Sequence, residues 1–198
     1  SFSAMFAADD WIQYVLDLDQ MGVPGESAFY GSGQSILLGG IIHKATGKHV
    51  DELAEETLFA DLGITRYRWQ RDPLRGTRHT GGGLKMTAYD LAKMGQLLLE
   101  RGVWQGKQVV SGAWIDATLD AGLPVAEDSP GESPQTAAYG YHWWRQTYEV
   151  NGIQVEAITG RGYGGQYLGI FPALDAVVVL YNGEWGQPWE RVFDYDGI

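Results

Sequence analysis

The sequence predicts an α+β protein in which a helical block is followed by a block of antiparallel strands. Three observations carry that prediction. Apolar residues recur at the 3.6-residue helical spacing up to about residue 120, and beyond residue 139 the spacing changes to simple alternation. The alternating runs meet at Asn151-Gly152, a strong signal for a two-residue hairpin. The division expected is a mainly helical lobe over residues 1–138 and the sheet portion over residues 139–198, intertwined as one domain.

Taken in order, residues 8–18 read as a short amphipathic helix with acidic residues in its first turn, where the helix dipole favours them. Met21-Gly22-Val23-Pro24-Gly25-Glu26 is a turn broken by Pro-Gly. The run Ile36-Leu37-Leu38-Gly39-Gly40-Ile41-Ile42 predicts a buried helix that stops at Thr46-Gly47. A further helix is expected from about Asp51 to Asp61, with Leu53, Ala54, Leu58 and Phe59 facing inward. Residues 65–83 read as irregular and solvated, carrying five arginines and ending in Gly81-Gly82-Gly83.

Thr87 and Asp90 form a capping-box variant ahead of the clearest helix, whose buried face is Leu91, Met94, Leu97 and Leu98. Residues 102–107 read as a small turn or hairpin, and Ser111 as the N-cap of a helix over 112–120. Residues 122–138, with Pro, Gly, Ser and acids but no period, are expected to be a long surface loop. The strands follow: Tyr141 to Val150, Ile153 to Ile158, Gln166 to Phe171, and a buried strand from Ala176 to Tyr181 after a turn at Pro172 to Asp175.

Composition narrows the function classes. A chain of 198 residues can build one substantial core or two small lobes. The net charge of −11 disfavours phosphate backbones and anionic membrane surfaces, so no nucleic-acid partner is expected. No apolar run reaches the ~20 residues a membrane span needs. Without cysteine there is no disulfide, thiolate metal site or Cys nucleophile, and the four histidines form no His-x-x-x-His pair, so neither metal nor cofactor is expected. Eight Trp and eleven Tyr alongside 28 Gly suit a ligand cleft with close backbone approach, and packing of a large core accounts for part of them.

The chain is organised around Ala28-Phe29-Tyr30-Gly31-Ser32-Gly33-Gln34-Ser35, a Gly-rich bend that sets a phenol and small hydroxyls at the mouth of a buried helix. From the residues alone, Tyr30 is either a half-buried ring with a satisfied hydroxyl or a hydroxyl placed to act on a ligand. Its sequence context bears on the choice. Tyr30-Gly31-Ser32 with Leu-Leu-Gly-Gly-Ile-Ile and Thr46-Gly47-Lys48, then Leu58-Phe59-Ala60-Asp61-Leu62-Gly63-Ile64, then residues 82–92, Gly140-Tyr141-His142-Trp143-Trp144 and Gly162-Tyr163-Gly164-Gly165-Gln166 follow one another in order. Together they resemble the serine β-lactamase and DD-peptidase superfamily, in its class C-like branch of esterases and nylon-oligomer hydrolases.

The resemblance implies a β-lactamase/transpeptidase-like fold and acyl transfer to a Ser-x-x-Lys serine from a small-molecule ester or amide. It implies that Tyr30 is the proton-shuttling phenol. Ser32 falls where the family often has Asn, and Gly160-Arg161-Gly162 where it has Lys-Thr-Gly. Tyr163 would then offer its backbone N–H to the oxyanion. Arg161, Gly162, Ser32 and Trp144 are the expected substrate contacts. The Ser and Arg replacements favour an esterase or amidase over a β-lactamase.

No Ser or Thr has Lys three residues later, and no Gly-x-Ser-x-Gly elbow is present. The expectation is an internal fragment whose N-terminal strands and nucleophile helix are missing, inactive alone. A bare sheet edge would then be covered by self-association or by the missing segment. Two alternatives stay open: a non-catalytic binding module built on Trp69, Trp143, Trp144 and Tyr163, or a self-assembling module. Family habit leans towards an envelope or secreted setting.

Overall fold

The computed structural model describes residues 2–20, 22–72, 75–125 and 136–183, which form two compact units of an α+β fold. The first unit comprises residues 1–21 and 31–87, and the second residues 22–30 and 88–198.

The first unit opens with α1 (Phe2–Ala7) and α2 (Trp11–Leu16). The break between them lies inside the helix expected over 8–18. Its reason is local: Asp10 takes extended backbone and its carboxylate accepts from the Ile12 and Gln13 N–H groups, so it caps a new helix instead of sitting within one. α3 (Ser32–Thr46) follows and ends at left-handed Gly47. Ile36 is wholly buried and joins Met5 and Trp11 in a core flanked by Phe6, Ile12, Tyr14 and Val15. The α3 glycines are contact points. A Cβ on Gly40 would lie 2.7 Å from Ile12 Cδ1, and one on Gly33 3.1 Å from Val15 Cγ1. This close approach buries Ile36 and turns Leu38 and Ile41 (61% exposed) outward, so the apolar run is not a single buried face.

α4 (Val50–Ala54), a π-helical turn (Glu55–Phe59) and α5 (Ala60–Leu62) run on continuously, one residue longer at each end than the sequence suggests. Left-handed Gly63 ends this stretch, and the Ile64 N–H reaches back to Phe59 O at 2.8 Å. Phe59, Leu62 and Ile64 are buried there.

Residues 65–83 are more ordered than expected. β1 (Tyr67–Trp69) pairs antiparallel with β2 (Leu84–Met86), and buried His79 stacks edge-on against Phe6 at 5.0 Å. Arg78, expected in solvent, is nearly buried. Its Nε donates to Asp51 Oδ2 at 2.7 Å and its guanidinium donates to Gly76 O at 2.6 Å.

In the second unit α6 (Ala88–Leu99) packs on a five-stranded antiparallel sheet. A small hairpin, β3 (Val103–Trp104) and β4 (Lys107–Gln108), leads to α7 (Gly112–Asp120). The hydroxyl of Ser111 caps α7 from the Trp114 N–H at 3.2 Å, as expected. The sheet order is β5 (Thr136–Gly140), β6 (Trp143–Val150), β7 (Ile153–Gly162), β8 (Gln166–Phe171) and β9 (Ala176–Leu180). α6 meets β8 and β9 so closely that a Cβ on Gly95 would lie 2.6 Å from Val177 Cγ1 and 2.9 Å from Leu168 Cδ1.

Three sheet expectations change. β5 occupies the end of the stretch read as loop, of which residues 126–135 lie outside the described residues. Tyr141 is not a strand residue. Tyr141 (φ 45°) and His142 (φ 69°) form a two-residue turn, a conformation costing about 1–2 kcal/mol for each non-glycine residue. At the next hairpin the same turn is made by Asn151-Gly152, as predicted. Finally, β9 is not buried on both faces, since Val178 and Leu180 are each 39% exposed.

Candidate functional site

The site develops within the second unit, from backbone pairing upward. Residues 121–123 lie against β5 because two glycines permit it. A Cβ on Gly122 would sit 2.8 Å from Ala138 Cβ, and one on Gly140 3.0 Å from the Ala121 carbonyl. Leu123 and Tyr139 consequently exchange two backbone hydrogen bonds of 3.1 and 3.0 Å. One residue on, the Ala28 N–H donates to Pro124 O at 2.9 Å, and Ala28 bridges Val125 in parallel. The segment ending in Tyr30 is thus tied through residues 123–125 to the strand that carries Tyr139.

Sheet register supplies the other rings. Tyr139 lies opposite Trp144, and Trp144 opposite Thr159. Directly paired residues share a face, as do residues two apart, so Tyr139, Trp144, Thr159 and Arg161 point to one side of the sheet. On that side three aromatic rings meet. Tyr30 is edge-on to Tyr139 at 5.4 Å and tilted against Trp144 at 5.1 Å, while Tyr139 lies 4.6 Å from Trp144. The Arg161 guanidinium stands 5.3 Å from the Trp144 ring centroid, a cation–π distance. Trp144 itself is buried.

Below this cluster the same face carries a buried polar network. Gln146 Oε1 accepts from Thr159 Oγ1 at 2.9 Å and from the Tyr148 hydroxyl at 3.0 Å, and Tyr148 meets the Tyr167 hydroxyl at 3.1 Å. The Tyr148 proton is used on Gln146, so in the remaining bond Tyr167 donates. Thr159 is 0% and Gln146 3% exposed, and each such group must be satisfied internally.

Of the residues singled out from sequence, Tyr30, Trp144 and Arg161 come together. Gly162 ends β7, and the Gly165 N–H closes the following turn on Gly162 O at 3.0 Å. Tyr163 lies in that turn and is 54% exposed. Ser32 begins α3 in the first unit, where Gly81 packs against it.

Sequence reasoning missed Tyr139, His142 and the Gln146–Thr159–Tyr148–Tyr167 network. Tyr139 became visible only through its register with Trp144, and that register depends on a Tyr141-His142 turn that no turn rule predicts.

Burial raises the Tyr30 pKa above the ordinary tyrosine value, so the phenol keeps its proton at neutral pH. Burial, and secondarily the neighbouring Tyr30, raise that of Tyr139. Partial burial lowers the pKa of His142, whose Nδ1 lies 3.2 Å from the Tyr139 hydroxyl. Among the described residues no cluster of three or more metal-ligating side chains occurs, and no helix is long and apolar enough to cross a membrane.

Comparison with known proteins agrees with this architecture. The family model described as Beta-lactamase matches residues 2–196. A 6-aminohexanoate-dimer hydrolase from Paenarthrobacter ureafaciens is 29% identical over 184 residues, covering 92% of this chain and 45% of the relative. A Bacillus anthracis structure provisionally named 6-aminohexanoate-dimer hydrolase superposes with a TM-score of 0.74 at 24% identity, over 91% of this chain and 45% of its own. The octameric penicillin-binding protein homologue from Pyrococcus abyssi gives a TM-score of 0.66 at 21% identity, over 98% and 49%. The chain spans about half the length of these relatives. The chain belongs to the Beta-lactamase family.

Proposed function

We propose that these residues supply the phenol, the substrate contacts and an oxyanion donor of a serine hydrolase that cleaves a carboxylic ester or amide through an acyl-enzyme. The observation that carries the reading is Tyr30: a protonated phenol held at 5.1–5.4 Å from two rings, one of which bears a cation. A buried phenol stays protonated at pH 7, so it enters the step as a proton donor and not as a base. Tyr30 would hand its proton to the departing alkoxide or amine as the serine oxygen bonds to the acyl carbon. The proton released by the serine restores the phenol, so no net charge accumulates. Arg161 suits a substrate carboxylate, Trp144 and Gly162 border it, and the Tyr163 N–H would stabilise the oxyanion. Ser32, a short hydroxyl where the family often has Asn, favours esters and linear amides over β-lactams.

No Ser-x-x-Lys lies in these 198 residues, so on this reading the nucleophile is elsewhere in the polypeptide. The test compares the 198-residue chain with a polypeptide that includes a Ser-x-x-Lys segment, using a chromogenic ester and the linear dimer of 6-aminohexanoate. Turnover is expected only with the longer polypeptide. Tyr30→Phe there should lower kcat/KM by about 10²–10⁴-fold while melting temperature barely moves. Turnover by the short chain that survives Tyr30→Phe would refute both the role of Tyr30 and the missing nucleophile.

A further inference from the structure

We propose that His142 is a positioning residue for the Tyr30 centre, acting through Tyr139. The inference rests on the reading of Tyr30 as the proton-transferring phenol, and it assigns a role to a pair that the hydrolysis scheme above does not use.

Tyr139 touches both Tyr30 and Trp144, so its position bears directly on theirs. Packing alone leaves such a ring able to slide or rock. Its hydroxyl is held by one side chain, His142, whose Nδ1 is 3.2 Å away and whose ring meets the phenol edge-on at 6.4 Å. His142 reaches that point only because it and Tyr141 adopt left-handed backbone. The other two-residue hairpin of this sheet uses Asn151-Gly152, so the turn itself has no need of histidine. Tyr141 packs edge-on against Trp114 at 5.4 Å, which anchors its own half of the turn. The half occupied by His142 points its imidazole back along β5 to the phenol.

With His142 neutral and Tyr139 protonated the bond can run either way, and the coupling requires the direction in which the Tyr139 O–H donates to Nδ1 and the histidine carries its own proton on Nε2. Two phenols in contact cannot both ionise cheaply, and charge on either opposes charge on the other. Committing the Tyr139 proton to His142 leaves Tyr30 as the member of the pair that exchanges its proton with a reacting group. Arg161, on the far side of Trp144, is the cation of this cluster and takes no part in the Tyr139–His142 bond.

The test is NMR at neutral pH on the 198-residue chain, with ¹⁵N-labelled histidine and tyrosine labelled with ¹³C at Cζ. His142 is assigned from His142→Gln, and Tyr30 from Tyr30→Phe. The expected result is an Nε2–H tautomer of His142 with a hydrogen-bonded Nδ1 signal that Tyr139→Phe abolishes. The Tyr30 Cζ signal should shift in Tyr139→Phe and in His142→Ala, then return towards its wild-type position in His142→Gln, whose amide oxygen can accept the same proton. A merely structural histidine would change the melting temperature and leave the Tyr30 signal in place. An Nδ1–H tautomer, an Nδ1 signal indifferent to Tyr139→Phe, or a Tyr30 signal unmoved in a folded His142→Ala chain overturns the proposal. Should His142→Ala fail to fold, Tyr139→Phe and His142→Gln decide it alone. These signals do not depend on turnover, so they separate failure of the coupling from failure of the assigned chemistry.

Discussion

Three adjacent glycines make the sharpest test of the packing described here, because one substitution made at each has a different expected cost. Gly81, Gly82 and Gly83 close the loop before β2 in the first unit. A Cβ on Gly81 would lie 2.6 Å from Ser32 Cβ, 2.9 Å from Ser32 O and 3.0 Å from Ser32 Cα. Two of those atoms are backbone at the start of α3 and cannot rotate away, so Gly81→Ala should cost about 1–3 kcal/mol as overpacking. At Gly83 the backbone is left-handed (φ 70°), and an added Cβ would lie 2.7 Å from Gln70 Cβ. Left-handed strain of about 1–2 kcal/mol then adds to the contact. At Gly82 the nearest atom is His79 Nε2 at 3.3 Å. There the entropy removed from the unfolded chain, about 0.4–1 kcal/mol in favour of alanine, roughly offsets a mild contact.

The assay is urea denaturation of the three alanine variants, read as the midpoint at constant m. The expected order has Gly82→Ala within about 0.5 kcal/mol of wild type and the other two at least ~1 kcal/mol less stable. A Gly82→Ala variant as damaged as its neighbours, or a neutral Gly81→Ala, would refute the placement of this loop against α3.

Other consequences are open to measurement. Arg78→Met leaves the Asp51 carboxylate without its ion-pair partner, so it should cost about 2–4 kcal/mol, more than the Arg78→Met/Asp51→Asn double variant in a denaturation cycle. Burial depresses the His79 pKa, so below the unfolded value of about 6.5 the unfolded chain takes the proton more readily. Stability is therefore complete above that pH and falls as pH drops. Melting temperatures from pH 7.5 to 5 should show the loss, and His79→Gln should remove part of it, His49 and His142 supplying the rest in the same direction. Gly95→Ala should destabilise α6 against β9 despite the better helix propensity of alanine, and a compensating Val177→Ala should recover stability in the same chemical denaturation.

Elements whose causes are local are legible in the sequence. Gly47 ends α3, Ser111 caps α7 through its hydroxyl, and Asn151-Gly152 turns β6 into β7, each through the conformational freedom or hydrogen bonding of the residues named. The ordered motifs around Tyr30, Trp144 and Gly162 also sufficed to place the chain in its family, because such motifs keep their order along the chain whatever the distances in space. Tertiary structure decided the rest. The strand hidden in the Arg-rich stretch and the nearly buried Arg78 depend on partners up to 27 residues away. The meeting of Tyr30 with Tyr139 follows from a strand register, which no local propensity sets. His142 joins them only through a turn whose conformation its own sequence disfavours, because the contacts of the folded sheet outweigh the intrinsic preference of two residues.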